Sequence, residues 1–203
     1  MAYTTIDKSS LHFNTKLWTG NSTNSTAITG VGFQPDMVWI KNRSTTDNHA
    51  IFDAIRGATY RIYPNATDAQ IQATNSLASF DSNGAGSANT DGSINTTATS
   101  ANTTSGFSMS TASMNASGTW TIGHGLGVAP KVVLVKVTGA TSDWWMWHES
   151  LGGGGKYIKL NINGSSGNDS TVWNNAVPTS SLFSMGSNTW SQNTTFVAYC
   201  FAD

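Results

Sequence analysis

The stretch Asp143-Trp-Trp-Met-Trp-His-Glu149 gathers two carboxylates, an imidazole and three of the chain's eight tryptophans. Two chemistries use such groups. A pair of carboxylates facing each other at about 5 to 9.5 Å can hydrolyse a glycosidic bond, one as acid and the other as base or nucleophile. Exposed indole rings beside hydrogen-bonding groups can instead hold a sugar without cutting it. For hydrolysis, Glu149 is the only glutamate of the chain, with Asp143 beside it and Asp169 and Asp81 as further candidates. On a strand, Trp145, Trp147 and Glu149 share one face, and Trp144, Met146 and His148 the other.

A related stretch, His49 to Gly57 (HAIFDAIRG), orients these faces. Its Ala50, Phe52 and Ala54 are apolar, whereas His49, Ile51 and Asp53 are mixed. Trp145, Trp147 and Glu149 are therefore expected to face the core, and Trp144 and His148 to face outward. Those two are the candidate surface-contact or glycan-binding residues. Because tryptophan is also enriched at subunit contacts, a contact or a core edge is preferred to a sugar platform. Ala54 stands at the position corresponding to Glu149, and no enzymatic activity is expected.

Other chemical motifs weaken on inspection. GHGLG, Gly123 to Gly127, looks like a phosphate loop, but such loops need a helix after them, and an apolar strand-like run follows here. Its glycines are read as shaping a turn, with His124 as a loop residue. GGGG, Gly152 to Gly155, is read as a hairpin tip or hinge. DSNGAGSANTDG, Asp81 to Gly92, lacks the alternating acids and closing glutamate of a calcium loop. Four scattered histidines and one cysteine offer no zinc spacing, so neither metal nor cofactor is expected. No nucleophile turn joins a strand to a helix, and Cys200, within FVAYCF, is read as an inert buried thiol.

The elements that must hold these residues are strands. MVWIK (Met37 to Lys41) and KVVLVKV (Lys131 to Val137) are apolar on both faces, as central covered strands are. KYIKLNIN (Lys156 to Asn163) alternates, and FVAYCF (Phe196 to Phe201) reads as a last buried strand. The only short helix the pattern allows lies near Asp68 to Thr74. A repeat organises these runs. GVGFQPDMVWIK (Gly30 to Lys41) returns as GLGVAPKVVLVK (Gly125 to Lys136), 95 residues on. Phe13 to Ile28 parallels Phe107 to Ile122, and Ile62 falls beside Ile158.

The first copy has no counterpart of TTFVAYCF; a polar stretch stands there. The expected fold is thus all-β, a single antiparallel β-sandwich of jelly-roll or concanavalin-like type built from two degenerate repeats. Repeat one spans about 13–81, a polar linker about 82–105, and repeat two about 107–203, each completing the other.

Composition limits the partners. Only 10% of the residues are charged and the net charge is −1, against about 25% charged residues in typical proteins. Ser, Thr and Asn supply 73 residues instead. Neither a nucleic-acid partner nor a membrane is expected, since there is no basic stripe, no run of like charge and no apolar span. The N-terminus lacks a signal-peptide layout, so synthesis in a cytoplasm is expected.

The motifs FNTKLWTGN, GVGFQPDMVWIKNRS, FDAIRGAT, SFDS, SANTTSGFS, IGHGLGVAPKVVLVK, WMWHESLG, KYIKLN and FVAYCFA occur in that order. Together they resemble a family of tailed-phage proteins, frequent in phages of aquatic bacteria, that carry tandem copies of such a unit. The resemblance implies a lectin-like sandwich and a non-enzymatic virion structural protein on the particle surface, as a capsid decoration or head fibre. It further implies other virion proteins of capsid or tail as partners and a homo-oligomer. The alternative it implies is a carbohydrate-binding tail-fibre adhesin that meets host surface glycans. Longer relatives close the first copy with an aromatic strand, which this chain lacks.

Overall fold

A computed structural model describes residues 8–23, 26–80, 86–115, 118–187, 190 and 192–202. The fold is an all-β antiparallel sandwich, with only two short 3-10 turns, Ser9–Leu11 and Glu149–Leu151, among the described residues. The N-terminal half contributes β1 (Met37–Ile40), β2 (Ala50–Asp53), β3 (Tyr60–Arg61) and β4 (Ile71–Gln72). The C-terminal half contributes β5 (Ala98–Asn102), β6 (Phe107–Met114), β7 (Trp120–Gly123), β8 (Val132–Val137) and β9 (Trp144–His148). It continues with β10 (Lys156–Lys159), β11 (Gly167–Asn168), β12 (Leu182–Met185) and β13 (Thr194–Phe201).

A seven-stranded sheet, ordered β11-β10-β9-β8-β13-β6-β5, forms the centre. Its neighbours are antiparallel, and β13 pairs along its length with both β8 and β6. Such a strand must be apolar on both faces, and β13 is. Phe196, Ala198 and Cys200 point to one face, where they pack with Val133, Val135 and Val137 of β8. The β7–β12 pair covers that face with Trp120, Ile122, Phe183 and Met185, joined by Val172, Trp173 and Trp190. Val197 and Tyr199 point to the opposite face, where Met109 and Trp144 meet Ile51 and Ile62 from the N-terminal half. One core cluster is therefore built from both halves of the chain.

The two halves also match in register. In β1–β2, Met37 faces Asp53, Val38 faces Phe52, Trp39 faces Ile51 and Ile40 faces Ala50. Shifted by 95 residues, these are the β8–β9 pairs Val132 with His148, Val133 with Trp147, Leu134 with Met146 and Val135 with Trp145. The bridge Ile51–Ile62 corresponds to Met146–Ile158. Tyr60–Gln72 and Arg61–Ile71 correspond to Lys156–Asn168 and Tyr157–Gly167. Left-handed backbone recurs as well: Gly30 and Gly125 have φ of 73° and 72°, the region that glycine enters without a Cβ clash. The meander β1-β2-β3-β4 is thus the counterpart of β8-β9-β10-β11, pair by pair.

The structure corrects three expectations and leaves one sequence parallel without a structural match. Asp68–Thr74 holds no helix: Ile71–Gln72 is strand β4, paired with β3. MVWIK is not a central strand like KVVLVKV; β1 pairs with β2 alone among the described residues, and Trp39 is 47% exposed. The expected linker 82–105 contains β5, which pairs with β6 through five residues. The Thr99 hydroxyl hydrogen-bonds to those of Thr96 and Ser110, so polar side chains hold that strand. Finally, Phe13 to Gly20 has no strand structure although it parallels β6 in sequence.

Candidate functional site

Trp144, expected to face outward, is fully buried. The face assignment within β9 is correct: Trp145 and Trp147 enter one core cluster and Trp144 the other. The second face is not solvent, because the N-terminal sheet covers it. Trp144 stacks on Tyr199 with ring centroids 6.3 Å apart, and its Nε1–H donates to the Tyr63 carbonyl at 2.8 Å. His148 is half-buried, and its Nδ1 accepts from the Ser150 N–H at 3.0 Å, capping the 3-10 turn that follows. These two residues form no shared outward surface.

The carboxylates are kept apart. Glu149, expected on the inward face, is exposed and pairs with Lys131 at 2.8 Å. Asp143 pairs with Lys159 at 2.6 Å and accepts from Asn161 at 2.9 Å. Burial pushes the Asp143 pKa up, but Asn161 and the two lysines, Lys159 and Lys136, outweigh it and hold the group below the usual range. Strand β9 separates Asp143 from Glu149, and six residues at extended rise span roughly 20 Å. That is too far for paired carboxylate chemistry. Asp169 is engaged by Thr171 in its own turn, and Asp81 lies outside the described residues. No group of three or more His, Cys, Asp and Glu among the described residues could hold a metal ion.

Sequence reasoning missed the polar groups that join the halves. Asp53 Oδ2 receives the Arg56 Nε–H at 2.6 Å and the Tyr199 hydroxyl at 2.5 Å, with Asp53 and Tyr199 buried. Burial works against the Arg56 charge, but Tyr199 and Asp53 overcome it and raise its pKa. Burial, reinforced by Asp53, lifts the Tyr199 pKa well above the ordinary phenol value. Lys136 is fully buried and donates to the carbonyls of Thr67 at 2.9 Å and Ser142 at 2.5 Å. Burial pulls its pKa down to about 8, despite Asp143 and Asp68. His124, a loop residue as expected, is buried: Nδ1 accepts from Leu126 N–H and Nε2 donates to Thr179 O. These groups face one another or backbone, so they serve as ties between segments.

Large apolar side chains are exposed in both halves, Val128, Leu160, Ile162 and Val177 among them in the C-terminal one, but the exposed aromatic ones, Phe13, Trp18 and Trp39, belong to the N-terminal half. Phe13, Leu17, Trp18, Ile28 and Trp39 are 73%, 70%, 48%, 40% and 47% exposed. Trp39 Nε1–H donates to His49 Nδ1 at 3.1 Å. Asn65 tethers this corner by donating to Asn48 Oδ1 and accepting from the His49 N–H. Asn42 and Thr45 both donate to Asp47. The signal for this site was in the sequence: a first copy without its closing strand leaves β1 at an edge.

Fold and site together define a β-sandwich with an exposed aromatic edge and buried polar ties. The chain belongs to the domain family of unknown function DUF7483, whose model matches residues 8–85 and 81–203. No curated protein and no solved structure matches it.

Proposed function

We infer that this chain is a non-enzymatic structural protein of a phage virion, acting through protein contacts made by the aromatic edge of its N-terminal half. The observation that carries the reading is the distribution of side chains. The buried titratable groups Asp53, Arg56, Tyr199 and Lys136 tie the fold together, while the exposed aromatic side chains Phe13, Trp18 and Trp39 all lie on the N-terminal half. Aromatic side chains are enriched at protein contacts. A surface poor in charge also suits dense display, where large same-sign fields would repel neighbours. The whole-chain resemblance to tailed-phage virion proteins supplies the particle.

One arrangement favours a second reading, an adhesin for host surface glycans. Trp39 and His49 stand beside Asn48 and Asn65, an exposed indole near amide groups. Purified particles, washed and probed with antibody to this chain, test the first reading; its absence from them overturns it. A glycan array with Trp39→Ala as control tests the second, and binding that is lost in the variant supports an adhesin. Sugar release from host envelope glycans by the pure protein would overturn both.

A further inference from the structure

The two meanders differ at one edge. In the C-terminal half, β8 lies between β9 and β13, and β13 in turn lies between β8 and β6. In the N-terminal half, β1 pairs with β2, and among the described residues no strand lies on its other side. Backbone alternation identifies the groups there. Ala54 N–H donates to Asp36 O, so Asp36, Val38 and Ile40 turn their backbone groups toward β2, and Met37, Trp39 and Lys41 turn theirs outward. The same holds in β8, where Thr138 N–H donates to Thr195 O. That bond sets the even-numbered residues, counterparts of Met37, Trp39 and Lys41, on the β13 side.

The next neighbour is missing its partner too. Phe13–Gly20 corresponds to β6, yet each of its residues is exposed. Phe13 N–H donates to Ser9 O, and Asn14 and Lys16 reach the loop before β1. Asn14 Nδ2–H donates to Val31 O at 2.7 Å, and Lys16 Nζ sits beside Gly30. An open β1 edge and an unpaired β6 counterpart are what removal of a single strand between them would leave.

We propose that this gap accepts an extended strand donated by a different polypeptide, running antiparallel to β1 along residues 37–42, with residues 13–20 pairing onto its far side. The occupant's chemistry is written in β13, which fills the equivalent place: an uncharged segment without proline and with side chains packed on both faces. In β13, aromatic Phe196 and small Ala198 alternate with Val197 and Tyr199, and each of the four is buried. Main-chain hydrogen bonds supply affinity in such strand addition, and alternate side chains supply selectivity. The β13 of a second copy is not the donor, because it is the buried centre of its own seven-stranded sheet. The inference rests on strand register alone and holds whether or not the chain belongs to a virion.

The probe is a synthetic peptide of residues 192–202, with lysines appended for solubility, added to the intact chain. Amide hydrogen exchange is followed by NMR. The peptide is expected to slow exchange at Met37, Trp39, Lys41 and within residues 13–20, with little change at Val38 and Ile40, and to shift Trp39 fluorescence to the blue. A peptide with proline at the positions of Val197 and Tyr199 is expected to do neither. Several outcomes overturn the proposal. One is no protection at those amides with the peptide; another is equal protection by the proline peptide. Protection in the free chain, whether constant or rising with protein concentration, shows an edge already covered or self-paired. Protection confined to β8 and β6 shows exchange of β13 instead of a vacant place.

Discussion

At the scale of single residues, burial and not residue type decides what a side chain does here. Trp144 and Trp147 lie on opposite faces of β9 and both are buried. Each truncation to Ala is expected to cost about 3 to 5 kcal/mol in chemical denaturation, the range for core tryptophans. Asp53→Ala is expected to cost a similar amount, about 3 to 5 kcal/mol, because it leaves Arg56 buried without its counter-ion. Alkaline pH reads two further residues. Lys136 is depressed from 10.5 to about 8 in the fold. From pH 8 upward the unfolded chain therefore binds more protons there, and stability rises. Cys200 is pushed by burial from 9.0 up to about 12, and Tyr199 is raised above 10.0. Above pH 9 to 10 the folded chain keeps protons that the unfolded chain loses, so stability falls. A Tm profile should climb from pH 8 to 9 and then decline. Lys136→Met should remove the climb, and Cys200→Ala should lessen the decline; a flat profile in the parent protein contradicts both assignments.

At the scale of elements, like sequences reach unlike structures because their neighbours differ. Phe107 and its counterpart Phe13 begin equivalent stretches. Phe107 sits in β6 with its ring 5.0 Å from Phe201, whereas Phe13 is 73% exposed. Phe13→Ala is expected to change unfolding free energy by no more than about 0.5 kcal/mol, as exposed sites do. Phe107→Ala should cost distinctly more, and equal costs in denaturant titrations would contradict the unpaired state of residues 13–20. Legibility followed the same division. β8 and β13 were readable because strands buried on both faces must be apolar on both. β1 reads the same way, yet it lies at an edge. β5 escaped because its register rests on hydroxyl hydrogen bonds of Thr96, Thr99 and Ser110, which carry no hydrophobic period.

At the scale of the whole molecule, the N-terminal meander acts as a lid on the C-terminal sheet. Ile51 and Ile62 cover Met109, Trp144, Val197 and Tyr199, and Arg56, Asp53 and Lys136 fasten the contact through buried hydrogen bonds. Residues 107–203 expressed alone would expose that face and lose β5. Such a fragment is expected to aggregate or to melt without cooperativity in size-exclusion and circular-dichroism measurements. A monomeric, cooperatively folding fragment would show instead that the C-terminal sheet is independent of its lid.

The sequence by itself determined the β class, the two-fold register shift and the faces of β9, because alternation, β-branched runs and glycine turns are local properties of the chain. It also led to the expectation of a first copy without a closing strand, and among the described residues β1 pairs with β2 alone. Only the tertiary structure decided which surfaces are solvent. Whether Trp144 is an outward platform or a core residue depends on Ile51, some ninety positions away, and no periodicity within β9 carries that information. The candidate site moved for the same reason. Burial is a property of pairs of elements, so the lid that hides Trp144 becomes visible only once both sheets are placed.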